Sequence, residues 1–536
     1  MPVSDERLEA QPLLPDPHHG HDPSYDSEGP LPDIDDGFSS SSKGHLLHVG
    51  MFSRFQARKP STIILLLAVM MFAITTSGML IMIPLFRLME DALCHVYYQK
   101  DPSEPIDERL CKVDGVQSEL AYLGGWGAML GSLVGMVAAL PYGVLADRIG
   151  RKPTFVLSYC GIILSFSWGP ALLFFAKAPN LWLIIIGCLF LLIGGGIPVA
   201  MNSLNAMAAD VSTEGDKSTG FLYLSFGAVS GGLVGPVVSG ILMETVGAWI
   251  PIVIVFAITP FIFALLVFIP ETLPVKLKTP SDVVEEQSLL LVSIQKTKET
   301  AEELKVSFAL LKNRNVLLAM VNFFIQPALF TAYASTLAQY VSKYFGWTLA
   351  QTSYRLSPPL GLLHLVILLS LPRISSALTS PSGRFRLTTF SKDLLLTKIS
   401  LLFLISGALM EGFSQEIVLF LVGLTVGTFG SANGPMCRAV TTAYVEPHHT
   451  SRLYALISML ETSGAVIGGP VLAWLFNVGL SKGGIWKGLP WFYVSGLVSI
   501  AFVAMLFVQR PRDKEPPPGE EEGSGDFGYQ SAEEQS

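Results

Sequence analysis

Two charged residues lie well inside long apolar stretches of this sequence. Glu461 lies about nine residues into one stretch and Arg355 about seven into another, so at 1.5 Å per helical residue their depths differ by roughly 6–7 Å. A charge within hydrocarbon is costly and indicates a function by default. We interpret Glu461 as a proton carrier that gives up its proton when Arg355 approaches across adjacent helices. A static ion pair between the two residues is the alternative interpretation.

A second group of charges fills a short turn between two apolar stretches, 121–146 and 153–175. The polar and small residues of this turn are Gly143, Asp147, Arg148, Gly150, Arg151 and Lys152. Each flanking stretch is long enough to cross a hydrocarbon layer of about 30 Å as a helix. The basic residues of so short a joint are expected on the cytosolic side, which fixes the orientation of the other stretches.

The elements that position these residues follow from composition. Of the 536 residues, 50% are apolar and 15% are charged, and the apolar residues form blocks separated by polar joints. This pattern predicts an all-α polytopic membrane protein, because a β-barrel would show short alternating segments instead. Twelve transmembrane helices are predicted, over residues 61–85, 121–146, 153–175, 181–209, 220–243, 249–269, 315–341, 349–371, 394–410, 417–440, 453–476 and 489–507.

The twelve spans divide into two pseudo-symmetric halves of six helices each. Spans 5 and 11 share a glycine-rich pattern formed by Gly231, Gly235, Pro236, Gly240, Gly464, Gly468 and Pro470. Parallel repeats of this kind are typical of transporters. The predicted domains are a disordered cytosolic tail (1–60), the first half (61–270), a cytosolic linker with an amphipathic helix (271–314), the second half (315–509) and a disordered acidic tail (510–536).

The loops indicate topology and location. The loop after span 1 is acidic, whereas the joints on the other side are basic, so both termini are expected in the cytosol. Cys94 and Cys111 share that outer loop, where a disulfide is expected, with two unpaired thiols as the alternative. Near the start, Glu9, Leu13 and Leu14 resemble an acidic dileucine sorting signal for an endosomal or vacuolar membrane. The alternatives are a solvated tail and the plasma membrane.

Composition also argues against several classes of function. The net charge of -8 argues against a nucleic-acid partner. The cysteines lack metal-site spacing, and the sequence has no evident nucleophile–base set or phosphate-binding loop. We therefore expect no metal, no cofactor and no enzyme activity. The expected partners are the lipid bilayer, a small organic solute and protons, and the protein is expected to be a monomer.

Three motifs resemble those of the major facilitator superfamily. The stretch from Gly143 to Lys152 resembles that family's loop between spans 2 and 3. The pattern from Gly231 to Gly240 is similar to its span-5 motif, and Pro270-Glu271-Thr272-Leu273 to its usual end of span 6. The resemblance covers residues 61–510 and is strongest to fungal transporters of the tetracycline-resistance and drug:proton antiporter group. The cysteine-bearing first loop is also similar to that of proton-coupled folate-type transporters.

This resemblance implies alternating access, in which the two halves rock about a central site. It implies that Asp147 is a gate latch that faces the start of span 11 near Arg452. A cytosolic charge cluster would be completed by Asp210 with Lys217 and by Glu446 with Arg452. The alternative is that the basic residues only fix topology. The glycine-rich patterns of spans 5 and 11 would act as hinges that prevent proton leak, or would serve close packing alone.

In this fold helices 1, 4, 7 and 10 line the cavity. Their candidate substrate-binding residues are Thr75, Thr76, Asn202, Asn205, Asn322, Gln326, Asn433, Met436 and Arg438. For each polar residue, ordinary hydrogen bonding between helices is the alternative. Arg438 could extend to the membrane surface or contact an anionic substrate.

The resemblance thus favours a secondary active transporter that exports a drug-like compound or secondary metabolite in exchange for protons. Span 4 lacks the basic residue that drug antiporters usually carry, and span 1 lacks an acidic residue. A uniporter, which moves the solute without protons, is therefore the first alternative. A second alternative is the proton-coupled import of an organic anion, with Arg355 or Arg438 at its negative charge. A third is a nutrient receptor that does not transport.

Overall fold

The computed structural model describes residues 56–175, 180–212, 217–272, 311–379, 387–445 and 450–510. Several predicted features lie outside these residues: the sorting signal at Glu9, Leu13 and Leu14, residues 1–55 and 511–536 of the predicted tails, Glu446, and the predicted amphipathic helix apart from its last residue. Those features stay predictions.

Among the described residues, twelve helices are long and apolar enough to cross a membrane, as predicted. The first six are α1 (Pro60–Tyr98), α2 (Asp114–Ile149), α3 (Arg151–Phe175), α4 (Leu181–Val211), α5 (Lys217–Val246) and α6 (Trp249–Phe268). The second six are α7 (Arg314–Phe345), α8 (Leu349–Thr379), α9 (Thr389–Phe413), α10 (Ile417–Thr442), α11 (Thr450–Lys482) and α12 (Leu489–Leu506). Each predicted span coincides with one of these helices.

The first helix continues well past its predicted end at residue 85. The added turns are polar, and Arg87 forms ion pairs along the helix with Glu90 (3.5 Å) and Asp91 (3.4 Å). Pairs at these spacings support a helix that has left the hydrocarbon layer. Hydropathy marks only the apolar part of a helix, which is why the sequence predicted a shorter element.

Helix α4 is irregular. Its first part, Leu181–Leu192, is a 3-10 helix, and its second part, Gly196–Val211, is an α-helix. The joint holds Gly194 and Gly195 at φ angles of 86° and 81°, a region that favours glycine. The glycines therefore permit a break in the middle of the span.

Each half has its own apolar core, centred on residues such as Leu67, Phe155 and Leu204 in the first half and Phe323, Phe420 and Trp491 in the second. Within the halves α5 packs on α1 and α11 packs on α7. Between the halves α2 packs on α11 and α5 on α8. The same helix positions thus form equivalent contacts in both halves, which fits the predicted pseudo-symmetric pair of six-helix units.

Cys94 at the end of α1 is disulfide-bonded to Cys111 in the loop that precedes α2. We call the face that carries this disulfide the outer face and the opposite face, with the turn from Gly143 to Lys152, the inner face. Cys160, Cys188 and Cys437 are free thiols within helices, as expected for packing residues.

Candidate functional site

Polar contacts join the two halves at the outer face. Gln339 Nε2 of α7 donates to the Gln117 carbonyl oxygen at 2.7 Å, and Lys343 Nζ lies 2.6 Å from Asp114 Oδ1. The Leu349 amide, where α8 begins, donates to Glu108 Oε1 at 2.8 Å. These bonds close the outer ends of the helices against each other.

A buried charge cluster supports this closure from the first half. Glu90 is 1% exposed and accepts hydrogen bonds from Lys112 Nζ and Gln117 Nε2, both at 2.6 Å. Glu108 Oε1 accepts a hydrogen bond from Lys112 Nζ at 3.0 Å, and Glu108 Oε2 lies 3.2 Å from Arg87 Nε. The sequence shows the charged members of this cluster only as part of an acidic loop and does not predict that they pair. Their pairing depends on how the disulfide folds the loop back.

Close packing continues the seal into the membrane. Ser353 Oγ of α8 donates to the Pro236 carbonyl oxygen of α5 at 2.7 Å. A methyl group on Gly240 would lie 2.7 Å from the Ala350 carbonyl oxygen, so only glycine fits where α5 meets α8. Likewise, a methyl group on Gly125 of α2 would lie 2.8 Å from the Gly469 carbonyl oxygen of α11. The seal therefore extends over the outer parts of both helix pairs.

Toward the inner face the same helices expose apolar side chains. Tyr223 and Phe226 of α5 are 53% and 57% exposed, and Leu362 and Val366 of α8 are 55% and 59% exposed. Val137 of α2, on the other pair, is 60% exposed. The described hydrogen bonds and glycine contacts between the halves lie near the outer face, which is the arrangement expected of an inward-facing conformation.

Glu271 organises the inner end of the first half. Its carboxylate accepts the backbone amides of Arg151 (3.0 Å) and Lys152 (3.1 Å), which are the first residues of α3. An acidic group at a helix N-terminus is stabilised by the free amides and the helix dipole. Gly150 has a φ of 109°, and a methyl group there would lie 2.6 Å from Glu271 Oε2. The sequence indicates Glu271 only as part of the motif at the end of span 6, and its contact with the turn is evident from the structure.

Asp210 of α4 joins this inner cluster. Its carboxylate lies 3.6 Å from Arg151 Nε and accepts a hydrogen bond from Thr272 Oγ1 at 3.2 Å. Nearby, Lys152 Nζ donates a hydrogen bond to the Ile269 carbonyl oxygen at 2.8 Å. The structure thus brings three predicted gating residues together: Asp210, Arg151 and Lys152. Gly143 is exposed and faces open space. The side chains of Asp147, Arg148, Lys217 and Arg452 lie outside what the structure describes, so their predicted contacts stay predictions.

The predicted meeting of Glu461 with Arg355 is wrong. Arg438 Nη2 donates to Glu461 Oε1 at 2.6 Å, and the two side chains are 46% and 29% exposed in the inward opening. Arg355 instead stacks over the Trp347 ring at 5.0 Å from its centroid. Helices α8 and α10 run from the outer to the inner face, and α11 runs in the opposite direction. Since helical side chains lean toward the N-terminus of their helix, Arg438 leans outward and Glu461 leans inward, and the two meet. Arg355 on α8 leans outward, away from Glu461. Depth along the helix axis alone does not include this lean and therefore predicts the wrong partner for Glu461.

The predicted substrate-binding residues divide into two groups. Asn433 Nδ2 donates to Asn322 Oδ1 at 2.9 Å, and both residues are 2% exposed, so this pair ties α7 to α10 inside the second half. Gln326 lies near Gly434. The more accessible residues are Thr75, which lines a cavity of about 230 Å³ between α1, α3, α4 and α6, together with Asn202, Asn205 and Met436. Thr76 Oγ1 is buried without a hydrogen-bond partner among the described residues.

The glycine-rich patterns form close contacts. A methyl group on Gly231 would lie 2.7 Å from the Phe72 carbonyl oxygen, and one on Gly235 would lie 2.7 Å from Met79 Cβ, where α5 packs on α1. In the second half Gly464 and Gly468 allow α11 to approach α7 in the same way. The structure thus gives these glycines the packing role. The hinge role of the pattern, with Pro236 and Pro470, stays a prediction.

A cavity of about 490 Å³ lies between α5, α7, α8 and α10, with Tyr333, His364 and Gly427 among its lining residues. The sequence predicts the cavity between helices 1, 4, 7 and 10, whereas surfaces of helices 5 and 8 also line this cavity. The sequence also does not single out Glu411, a fully buried carboxyl group of α9 whose partner is the Tyr333 hydroxyl group.

Comparison with known proteins decides the family. The model of the Major Facilitator Superfamily matches residues 113–410 and 394–532. The chain belongs to this superfamily of membrane transporters. The prediction made from its motifs and its fold class is therefore confirmed.

Fungal relatives and solved structures agree with this assignment. The chain is 31% identical to the MFS efflux pump atnC of Emericella nidulans, over 81% of this chain and 85% of the relative. It is 29% identical to the MFS-type transporter aprT of Aspergillus flavus, over 92% of this chain and 96% of the relative. The fold is similar to the nucleoside transporter NupG and to a D-xylose–proton symporter, each with a TM-score of 0.55, at 14% and 15% identity. The match to NupG covers 83% of this chain and 99% of NupG. The match to the symporter covers 84% of this chain and 98% of the symporter.

Proposed function

We propose that this protein exports a small organic solute from the cytosol in exchange for protons. The observation that carries the proposal is the opening toward the inner face, in which the Arg438–Glu461 ion pair is accessible. The names of relatives, including an efflux pump of Emericella nidulans, support the outward direction. The inner face is the cytosolic face, because the disulfide at the opposite face suits an oxidising compartment.

The exchange uses the ion pair as its switch. Protonation of Glu461 removes the charge that holds Arg438, so proton and solute alternate at one site. Asp147 and Arg452 then latch the inner ends of α2 and α11 when the opening closes. Because Arg438 is already neutralised by Glu461, we favour export over the uptake of an organic anion.

The test is an efflux assay with the full chain in a yeast strain that lacks its own drug pumps. Cells receive a panel of fungal secondary metabolites, and the retained compounds are measured by mass spectrometry. Cells with the wild-type protein should retain at least one compound several-fold less than cells with an empty vector, and a protonophore should abolish this difference. Equal retention of every compound would contradict export, and a difference that survives the protonophore would indicate a uniporter.

Asp147→Asn is the matched variant in this assay. It should retain compounds like the empty vector while a fluorescent tag shows unchanged amounts in the membrane, because an amide cannot serve as a charged latch. Wild-type efflux by Asp147→Asn would remove the latch from the proposal. The tag also reports whether the membrane is the plasma membrane or the vacuolar membrane. If the tag shows the vacuolar membrane, the same comparison is made on isolated vacuoles, where export from the cytosol raises the content of the compound.

A further inference from the structure

Glu411 is a carboxyl group buried completely within the second half. It lies near the outer end of α9 and is 0% exposed. Tyr333 Oη of α7 donates to its two carboxyl oxygens at 3.3 and 3.2 Å. An ionised carboxylate without a counter-charge is strongly disfavoured away from water. A buried acid in a membrane helix therefore needs an explanation that packing does not provide.

The surroundings of Glu411 supply no such counter-charge among the described residues. Helix α10 presents the glycines 423 and 427, and α12 presents Trp491, whose ring is 5.5 Å from that of Tyr333. Helix α7 adds the phenol of Tyr340, and His364 of α8 lines the same 490 Å³ cavity as Tyr333. Beyond Tyr340, the Tyr344 ring packs on it with the ring centroids 4.7 Å apart, and the Lys487 ammonium group lies over the Tyr344 ring at 5.3 Å. Within the part of the chain that the structure describes, the polar side-chain partner of the Glu411 carboxyl group is thus a hydroxyl group.

The backbone of α7 is irregular where it presents this hydroxyl group. Residues Ala332–Thr336 form a single π-helical turn within the span. Such turns rotate the side chains that follow them and are frequent at functional sites. Here the π-helical turn includes Tyr333 and allows its hydroxyl group to reach α9.

The cavity of about 490 Å³ comes close to the acid. Tyr333 and Gly427 both line the cavity. A methyl group on Gly427 would lie 3.8 Å from Glu411 Oε1 and 3.9 Å from Tyr333 Oη. Gly427 and Tyr333 therefore lie next to both the cavity and the carboxyl group.

We infer that Glu411 is a proton-binding site of this transporter, held by Tyr333 as a positioning residue and reached from the cavity beside Gly427. The neutral acid is the form that this closed site accommodates, and the proton leaves when the cavity wall opens. This inference rests on the proposed exchange with protons, since the site gives the second half a proton store separate from the Arg438–Glu461 pair.

Infrared spectroscopy of the purified full-length protein in lipid nanodiscs tests the inference with protons as the only ligand. At neutral pH, where solvated carboxyl groups are ionised, the wild-type protein should show a protonated-carboxyl carbonyl band. Glu411→Gln should lose this band, and the same change at the exposed Glu416 should keep it. Retention of the band in Glu411→Gln, or its absence from the wild-type protein, would overturn the inference.

Tyr333→Phe provides a second readout if Glu411→Gln does not fold. Loss of the hydrogen bond should shift the band to a higher frequency, an effect that a purely structural role of Tyr333 elsewhere would not produce. An unchanged frequency would overturn the assignment. Because these spectra need no transport, a failed efflux assay with a normal band would count against the proposed function and not against the protonation of Glu411.

Discussion

The ion pair between Arg438 and Glu461 is the residue-scale switch of the proposed transport cycle. Its two side chains are partly exposed in the inward opening and are 2.6 Å apart at their closest atoms. A pair that solvent reaches can exchange a proton during each cycle, whereas a dry pair would have to break first. This location distinguishes it from the polar pair of Asn322 and Asn433, which is buried.

Glu461→Gln should flatten the pH dependence of efflux. The negative charge of Glu461 holds the pair to Arg438, and the proposed transfer of a proton to Glu461 removes that charge. A glutamine keeps a hydrogen bond to Arg438 at every pH and removes this response. Efflux is measured over a pH series, with Glu416→Gln as a control on an exposed carboxylate. A pH profile like that of the wild-type protein would exclude Glu461 as a carrier.

Gly150→Ala should destabilise the inner end of the first half. Its φ of 109° is unfavourable for alanine, and the added methyl group would meet Glu271, so we expect a loss of about 1–3 kcal/mol. The thermal unfolding midpoint of the purified protein provides the measurement. Gly127→Ala is the matched control, because nothing lies within 4 Å of a methyl group there. Equal midpoints for the two variants would show that the contact with Glu271 does not constrain this turn.

Sequence reasoning found the charged residues of the site more readily than their partners. The motif from Gly143 to Lys152 and the cost of charge in hydrocarbon single out these residues, and their roles stay predictions. The partner of Glu461 was mistaken, because helix direction decides which way a side chain leans. Glu411 was missed, since it lies just beyond the predicted span 394–410 and its burial depends on the aromatic side chains of α7 and α12.

At the scale of elements, glycines determine how closely the helices pack. Helix α5 on α1 and helix α11 on α7 are equivalent contacts in the two halves, and both use glycine where another side chain would collide. The repeat of this pattern was evident in the sequence, because spacing alone reveals it. The break in α4 and the π-helical turn in α7 were not predicted, since both arise from packing that hydropathy does not encode.

Gly464→Ala should weaken the packing of α11 on α7. The added methyl group would collide with the Phe324 carbonyl oxygen, and overpacking of this kind costs about 1–3 kcal/mol. Gly496→Ala in α12 is the control, because it adds the same methyl group in open space. Thermal unfolding midpoints of the two variants should differ. If Gly464→Ala unfolds at the temperature of the control, the helices are not as close as described.

At the scale of the whole molecule, the structure is one state of a two-state cycle. The outer face is closed by hydrogen bonds and glycine contacts between the halves, and the inner parts of α5 and α8 are exposed. Alternating access requires a second state in which these outer bonds break and the inner cluster closes. Twelve helices and their division into halves were predictable from apolar blocks. The conformation was not, since one sequence serves both states.

The central claim is that the two halves rock about a shared site, and distances between spin labels on the full chain in nanodiscs test it most directly. One label pair is placed at Tyr223 and Leu369 on the inner parts of α5 and α8, and the other at Val246 and Ile485 on the outer face, all of them exposed positions. The account predicts two populations that change in opposite directions with pH. It also predicts that Asp147→Asn shifts both pairs toward the inward-facing state. One unchanging distance for each pair, at every pH and in the variant, would contradict the account.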